Sequence, residues 1–276
     1  MRNRALLAIA GIGAVLGFGI CQAQTFGANR LIHQERSLYR NILVLEGSGH
    51  RCLTFGRRSA RQSCMNLAEP EKLVFGYTSR MFDALTQLSN PKRILIIGVG
   101  GGSLPMAARR RFPAARIDAV EIDPAVIDVA RQYFNLREDN KLHLYSGDGR
   151  IFIRQQILRR ITYDAILLDA FDKDYIPEHM ATVEFLAQIR SSLAPDGLLL
   201  ANTYSGTALQ AHEEASFQRV FGVIQETRLN NGNRIILAGE PAARIAMNLA
   251  DGRQVPASKA AVFTDKFAPA NALLIH

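Results

Sequence analysis

Four segments that could hold a ligand each follow an apolar run, at the point where a buried strand would end. They are a glycine-rich loop at 98–103, an acidic residue at Glu121, a Gly-Asp-Gly segment at 147–149 and an Asp-Ala-Phe-Asp segment at 169–172. The carboxyl ends of parallel strands meet at one edge of a sheet, and ligands bind in the crevice beside that edge. The spacing therefore predicts one site built from all four segments.

The glycine-rich loop is typical of a place where the backbone approaches a ligand closely. Gly98, Gly100 and Gly102 carry no Cβ, and the helix that follows them offers free N–H groups. A tight turn between strand and helix also needs glycine, but the flanking elements favour a nucleoside-binding role for these three residues. Ser103 breaks the Gly-x-Gly-x-x-Gly pattern, which argues against a dinucleotide cofactor.

The carboxylates at the strand ends have different expected roles. Glu121 is placed to accept hydrogen bonds from two ribose hydroxyls, as acidic residues at this position of nucleotide-binding folds do. Asp148, beside the permissive Gly149, either accepts from an adenine amino group or caps a helix. Asp169 follows a buried strand, where desolvation and neighbouring carboxylates raise a carboxyl pKa and produce a usable base toward an amine.

Strands and helices that alternate from residue 91 onward must position these side chains. Continuous apolar runs at 94–97, 117–120, 142–145, 163–168 and 197–201 predict central strands of a doubly wound α/β sheet. Short segments at 221–224 and 234–238 are expected to complete that sheet. The preceding residues predict a β module with strands at 38–45, 51–55 and 61–67, and then a helix that begins at Glu69-Pro70-Glu71. The expected organisation is 24–75 for the β module, 76–240 for the catalytic domain and 241–276 for an extension packed on it.

The first 23 residues are typical of an export signal or a membrane anchor. Arg2 and Arg4 precede an uncharged run from Ala5 to Ile20, and Cys21 and Ala23 provide small residues for cleavage after position 23. The run is slightly short for a membrane span. An uncleaved anchor and a buried helix remain alternatives to a cleaved signal. We expect the protein in the periplasm or anchored to the inner membrane, with association through residues 1–23.

Two cysteines remain if residues 1–23 are removed. Cys52 and Cys64 flank a turn expected near Arg58, which places them opposite one another on neighbouring strands. They are therefore either a cross-strand disulfide or two buried thiols. No second Cys or His pair accompanies them, so we expect no metal site.

The basic balance of the chain does not by itself indicate a nucleic-acid partner. The formal net charge is +8, but the arginine clusters at 57–58, 109–111 and 159–160 are not interleaved with stacking aromatics, and the chain has no Trp. Solvated helix faces and loops account for this pattern, and we expect no nucleic-acid partner.

Taken together, the loop at 98–105, Val120 to Pro124, the Gly-Asp-Gly segment at 147–149 and the segment at 168–172 resemble the spermidine synthase family, in particular its bacterial spermidine synthase-like branch. The similarity covers 73–206 and extends more weakly to Arg61-Gln62-Ser63 and to 264–269. It implies a Rossmann-like domain of the S-adenosylmethionine methyltransferase type after a small β module, assembled as homodimers or homotetramers. It also implies transfer of an aminopropyl group from decarboxylated S-adenosylmethionine to a polyamine, with release of methylthioadenosine.

The resemblance also assigns roles to individual side chains. It implies that Glu121 binds ribose, that Asp148 binds the adenine amino group and that Asp169 deprotonates the attacking amine. Asp172 would hold an ammonium group of the substrate. Tyr77 matches the family's active-site tyrosine and Gln62 a donor-binding glutamine, which completes the expected site.

The sequence departs from the family pattern at three places. Gly101 stands where the family has an acidic residue that pairs with the donor's amine, Thr78 follows the tyrosine where Gln or His is usual, and Ala170-Phe171 replaces Ser-Ser. Two other functions therefore stay open at this stage. One is an S-adenosylmethionine-dependent methyltransferase on the same fold, and the other is a catalytically silent nucleoside- or polyamine-binding protein of the cell envelope.

Overall fold

The computed structural model describes residues 29–59, 61–170 and 178–266. The predicted export or anchor segment at 1–23 lies outside these residues. Within the described ranges, no helix is both long enough and apolar enough to cross a membrane.

The N-terminal module is a four-stranded antiparallel sheet in which neighbouring strands follow one another along the chain. It contains β1 (Arg30–Arg36), β2 (Asn41–Gly47), β3 (His50–Phe55) and β4 (Arg61–Asn66). The sequence predicted three of these strands and missed β1, because a strand with polar residues at most positions has no clear alternation. The prediction that β2 begins at Leu38 was wrong. Ser37 Oγ accepts from the backbone N–H groups of Tyr39 and Arg40, and this local turn delays the strand.

The structure joins Cys52 and Cys64 in a disulfide between β3 and β4. The two residues are direct cross-strand partners in the register of the pair, with Cα atoms 4.1 Å apart. Both side chains are buried. The expected position of the turn near Arg58 therefore placed the cysteines correctly, and of the two alternatives the structure contains the disulfide.

The first helix begins later than the sequence predicted. Helix α1 covers Gly76–Leu85, and Phe75 before it has extended backbone angles. The predicted start at Glu69-Pro70-Glu71 was wrong, because the chain here is still associated with the N-terminal sheet through an isolated bridge between Met65 and Leu73. Tertiary pairing thus overrides the favourable first-turn residues.

The larger, second part of the structure is built on an eight-stranded sheet with the order β12-β10-β11-β9-β8-β5-β6-β7. Its parallel part contains β5 (Arg93–Ile97), β6 (Arg116–Glu121), β7 (Leu142–Ser146), β8 (Tyr163–Leu168) and β9 (Leu193–Tyr204). Its antiparallel part contains β10 (Gln225–Arg228), β11 (Asn233–Gly239) and β12 (Arg253–Gln254). The strand order reverses direction at β5, where the chain goes first to β6 and β7 and then back to β8. This is the position at which doubly wound sheets bind their ligands.

Helices cover both faces of this sheet. They are α1 together with α2 (Ser103–Arg111), α3 (Pro124–Tyr133), α4 (Gly149–Leu158), α5 (Val183–Ser192), α6 (Gln210–Phe221) and α7 (Ala242–Met247), with a 3₁₀ turn at Glu178–Met180. Side chains from alternate positions of the central strands enter two separate apolar cores, one for each face. A third core lies between the N-terminal sheet and α3, so the β module packs directly against the part of the chain that contains the eight-stranded sheet.

The C-terminal part of the sheet corrects one further prediction. Residues 221–224 were expected to form a strand, but α6 ends at Phe221 and the strand begins at Gln225. Gly222 is the C-cap of α6 and has a positive φ of 74°, which is not a strand conformation. Beyond 240 the chain forms α7 and β12, and β12 pairs with β10.

Candidate active site

The sequence-predicted segments meet at a cavity of about 260 Å³ at the carboxyl ends of β5, β6, β7 and β8. The N-terminal sheet and α1 close its other side. The lining residues are Tyr39, Arg40, Phe55, Gln62, Ser63, Tyr77, Thr78, Ile97, Gly98, Val99, Gly100, Ser103, Leu104, Val120, Glu121, Ile122, Gly147, Asp148, Gly149, Asp169, Ala170, His179 and Met180. The lining is mainly apolar with a few convergent polar groups, as is usual for small-molecule sites.

Asp169 is held at the end of β8 by two side-chain donors. The Tyr77 hydroxyl on α1 donates to Oδ2 at 3.3 Å, and Asn202 Nδ2 on β9 donates to Oδ1 at 2.9 Å. These two bonds leave the remaining lone pairs of the carboxylate available to a group in the cavity. Tyr77 was expected from the sequence; Asn202 was missed, because an Asn inside an apolar strand has no motif around it.

The surroundings of Asp169 suit a group that exchanges a proton near neutral pH. The pKa of Asp169 is raised from 3.8 to about 7, chiefly by burial; the donors Asn202 and Tyr77 oppose this rise, and the charge of Glu121 adds to it. The pKa of Tyr77 is raised well above 10, chiefly by burial and then by the charge of Asp169. Tyr77 is therefore a hydrogen-bond donor at physiological pH, and Asp169 is the group able to take a proton.

The glycine loop lies against Asp169 because residue 98 has no side chain. Gly98 has a φ of 98°, and a Cβ there would overlap the backbone carbonyl of Asp169. Gly100 and Gly149 also line the cavity, as the sequence predicted. Gly102 does not. It faces a separate pocket, and a Cβ there would meet the side chain of Leu136. Its role is to start α2 in a left-handed conformation rather than to face the cavity.

Glu121 lies at the end of β6 and points toward the glycine loop. Its Oε2 accepts from the backbone N–H groups of Val99 at 3.0 Å and Gly100 at 3.4 Å, and its Oε1 accepts from Asp123 N at 3.3 Å. The neighbouring Asp123 caps α3 by accepting from Ala125 N. Glu121 thus joins the loop to the strand end, and its remaining lone pairs face the cavity.

Asp148 fulfils one of its two expected roles in the structure itself. Its Oδ1 accepts from Ile151 N at 2.9 Å and caps α4. Its Oδ2 lies 3.6 Å from Nε2 of His179, which is half exposed at the rim of the cavity. Because only one oxygen is used by the cap, the other remains available to a ligand amino group.

The N-terminal sheet contributes more of the cavity than the sequence indicated. Gln62, which was expected, lines it together with the neighbouring Ser63 on β4. Arg40 and Phe55 were missed. The Arg40 guanidinium lies 4.4 Å from the centre of the Phe55 ring and its Nε is 3.8 Å from Asp123 Oδ2. These contacts join sequence-distant elements, so no local pattern could have revealed them.

Asp172 and Thr78 were also singled out from the sequence. Asp172, expected to bind an ammonium group, lies outside the described residues. Thr78 lines the cavity, but its hydroxyl donates to the carbonyl of Phe75 at 2.7 Å in the first turn of α1. Among the described residues, no group of His, Cys, Asp and Glu side chains is arranged to hold a metal ion.

The absence of a side chain at residue 101 has a structural cause. A Cβ at Gly101 would lie 2.7 Å from Ser63 Oγ and 3.1 Å from a ring carbon of Phe134. Ser63 Oγ is itself 3.4 Å from Ser103 Oγ, so β4 is packed onto the loop at this point. An acidic side chain at 101 therefore requires the Ser63 hydroxyl to turn away and the Ser63 Cβ and the Phe134 ring to shift slightly.

Comparisons with known proteins agree with this architecture. The model of the spermine/spermidine synthase domain matches residues 75–222. The polyamine aminopropyltransferase of Vibrio vulnificus is 38% identical over 219 residues, which covers 78% of this chain and 73% of that protein. A probable spermidine synthase from Corynebacterium glutamicum superposes with a TM-score of 0.69 over 87% of this chain and 98% of that chain, at 20% identity, a level that shows the fold alone.

A methyltransferase is also structurally similar. The structure of human methyltransferase-like protein 13 in complex with SAH superposes with a TM-score of 0.56 and 27% identity, over 60% of this chain and 82% of that chain. The match of the synthase domain model to more than half of the chain, together with the similarity to the Vibrio vulnificus enzyme over most of both chains, decides the family. The chain belongs to the spermine/spermidine synthase family.

Proposed function

We propose that this protein is a transferase that moves an aminopropyl group from decarboxylated S-adenosylmethionine to an amine of the polyamine class and releases methylthioadenosine. The observation that carries the proposal is the partly buried Asp169, which has a pKa of about 7 and lies in a cavity beside Glu121 and Asp148. One group is thus poised for proton transfer, and two others are poised to bind a nucleoside. The similarity to a polyamine aminopropyltransferase supports the same assignment.

The chemical step needs an unprotonated nitrogen. The amine's lone pair attacks the aminopropyl carbon bonded to the donor's sulfonium, a C–N bond forms, and the C–S bond breaks with its electron pair moving to sulfur. Polyamine nitrogens are mostly protonated at neutral pH, as a lysine amine is. Asp169 takes the proton of the nitrogen, and Tyr77 orients the carboxylate by donating to Oδ2.

The nucleoside part of the donor is assigned to the strand ends. Glu121 would accept from ribose hydroxyls, Asp148 would accept from the adenine amino group through Oδ2, and the backbone at Gly98 and Gly100 would lie along the ribose. Gln62 would contact the donor from the N-terminal sheet. Each of these groups lines the cavity.

Methyl transfer is the second candidate, and the similarity to the methyltransferase solved with SAH favours it. Both reactions use the same nucleoside site and differ in the group that leaves the sulfonium. We propose aminopropyl transfer because the 38% identity to a polyamine aminopropyltransferase extends over most of both chains.

A single assay separates the candidates. The full chain is given S-adenosylmethionine or its decarboxylated form with a panel of diamines, polyamines and monoamines, and the nucleoside product is identified by mass. Amine-dependent release of methylthioadenosine supports the proposal. Formation of S-adenosylhomocysteine would replace it with methyl transfer, and binding of methylthioadenosine without either product would identify a silent binder.

The nucleoside site has its own test by calorimetry with methylthioadenosine. Asp148→Asn keeps an oxygen for the α4 cap but turns the second acceptor into a donor, so affinity should fall by about tenfold to a hundredfold without loss of fold. Asp196→Asn, at an exposed position of β9 away from the cavity, is the matched control and should bind as the wild type does. Equal affinity in both variants would remove Asp148 from the site.

We also propose that residues 1–23 direct export or anchor the protein, so that the catalytic domain acts outside the cytoplasm. The disulfide Cys52–Cys64 supports this location, because such bonds persist mainly in oxidising compartments. A reporter fused after His276 that is active only in the cytoplasm would contradict it. Assembly as a homodimer or homotetramer is proposed from the family resemblance, and light scattering of the purified protein tests it.

A further inference from the structure

Two buried side-chain amides form a hydrogen-bonded chain that ends at Asp169. Asn233 Nδ2 donates to Asn202 Oδ1 at 3.1 Å, and Asn202 Nδ2 donates to Asp169 Oδ1 at 2.9 Å. Both Asn side chains are buried. Asn202 pairs with Ile235 and Asn233 pairs with Tyr204, so the two amides are diagonal neighbours on the same face of the β9–β11 pair. The sheet register thus places Asn233 behind the proposed base, outside the cavity lining.

The orientation of the Asn202 amide decides which form of Asp169 it favours. With its NH₂ group toward Asp169, as in the structure, it donates to the carboxylate and stabilises the charged form. Rotated by half a turn, the amide would present its oxygen, which only a protonated Asp169 could satisfy. The shape of the amide is nearly the same in both orientations, so packing alone does not choose between them.

The group that chooses is the NH₂ of Asn233. In the orientation observed it donates to the Asn202 oxygen; if the Asn202 amide alone rotated, two NH₂ groups would face one another and both would lose a partner in a buried place. The backbone of Asn233 is itself fixed, because its N–H donates to Asn231 Oδ1 and its carbonyl accepts from Leu229 N.

We propose that Asn233 is a positioning residue that locks the Asn202 amide and thereby keeps Asp169 available as a carboxylate. The catalytic consequence rests on the proposed function, whereas the effect on the protonation of Asp169 does not. The other groups that face Asp169 among the described residues are the Tyr77 hydroxyl from α1 and the Glu121 carboxylate from β6. Tyr77 favours the charged form of Asp169 and Glu121 disfavours it, so Asn202 supplies one of two contributions that oppose burial.

The decisive measurement is the pKa of Asp169 by ¹³C NMR of the full-length protein, with the resonance assigned through Asp169→Asn. Asn233→Leu removes the donor without adding charge, and Asn233→Asp replaces it with an acceptor that favours the rotated amide. Asn233→Leu should raise the pKa of Asp169 by about half a unit to one unit, the equivalent of one hydrogen bond, and Asn233→Asp by more. Asn230→Asp makes the same charge change at an exposed position of the turn before β11 and should leave the pKa of Asp169 unchanged.

Two further readouts keep the proposal separate from general damage and from the proposed function. Calorimetry should show wild-type affinity of Asn233→Leu for methylthioadenosine, which confirms that the site is folded. Where turnover is observed, the acidic limb of kcat should move to higher pH by the same amount, while kcat at high pH and KM for the donor stay close to the wild-type values. An unchanged Asp169 pKa in Asn233→Leu would overturn the proposal whether or not the protein transfers an aminopropyl group. Lack of turnover in the wild type would refute only the proposed function.

Discussion

Replacement of Asp169 by Asn should make the protein more stable while it removes turnover. The pKa of Asp169 is about 7 in the folded protein and 3.8 as the reference value, so the folded state binds a proton more tightly than the unfolded state does. The contribution of Asp169 to the stability of the folded protein is therefore most favourable below pH 3.8, falls as the pH rises from about 4 to about 7, and stays at the lower value above pH 7.

The size of the effect follows from that difference. A shift of about three units, at about 1.4 kcal/mol each, means that ionised Asp169 costs on the order of 4 kcal/mol of stability at pH 8. The amide introduced by Asp169→Asn carries no charge, its oxygen accepts from Asn202, and its NH₂ donates to the oxygen of Tyr77. The variant should therefore gain roughly 10 °C in Tm at pH 8 and almost nothing at pH 4.

The same substitution should lower turnover by about a hundredfold to ten-thousandfold, which is the usual contribution of a positioned base. Affinity for methylthioadenosine should remain, because Asp169 is not among the groups assigned to the nucleoside. In the wild type, the carboxylate form of Asp169 is about a tenth of the total at pH 6 and about nine-tenths at pH 8, so the rate should rise across this range.

Differential scanning fluorimetry at pH 4 and pH 8, with kcat measured on the same samples, tests the reasoning. If Asp169→Asn gains no more Tm at pH 8 than at pH 4, burial does not destabilise the ionised form of Asp169. Wild-type turnover by Asp169→Asn would show that a different group takes the proton. Asp196→Asn, at an exposed position of β9, controls for the loss of a carboxylate.

Two further predictions concern the junction between the N-terminal sheet and the glycine loop. Gly101→Asp should weaken methylthioadenosine binding and lower Tm, because its Cβ meets Ser63 Oγ, and adding Ser63→Gly to this variant should recover part of both losses. Calorimetry and fluorimetry of the single and double variants measure the two effects. No recovery in the double variant would show that Phe134 or the backbone is the obstacle. The double variant Cys52→Ser, Cys64→Ser should lower the free energy of unfolding by about 3 kcal/mol, since the disulfide joins residues 12 positions apart. Urea unfolding measures this difference. A change below about 1 kcal/mol would mean that the cross-strand pairing is stable without the disulfide.

Much of the site was predictable because its residues lie at the ends of strongly apolar strands. Runs such as Arg93–Ile97 and Tyr163–Leu168 leave little choice of structure, and parallel strands bring their carboxyl ends to one edge. The glycine loop, Glu121, Asp148 and Asp169 therefore met at one cavity as expected. The cross-strand position of Cys52 and Cys64 was predicted correctly because a short hairpin has few possible registers.

Where local preferences competed with packing, the sequence was a poorer guide. The first-turn residues at 69–71 favoured a helix, yet the bridge from Met65 to Leu73 kept the chain extended until Gly76. The polar strand β1 has no pattern of its own and exists because it pairs with β2. In both cases backbone pairing with an adjacent strand outweighs propensities of a few tenths of a kcal/mol per residue.

The sequence by itself determined the doubly wound sheet, the order of its functional segments and the identity of the proposed base. Only the tertiary structure decided how that base is tuned. Asn202 and Asn233 meet Asp169 through the antiparallel register of β9 and β11, and Tyr77 reaches it from a helix 92 positions earlier in the chain. Ser63 crowds a side chain at residue 101 because β4 packs on the glycine loop. Strand-end residues are placed by local pattern, whereas burial, hydrogen-bond partners and excluded volume depend on which distant elements come together, and these set the pKa and shape of the site.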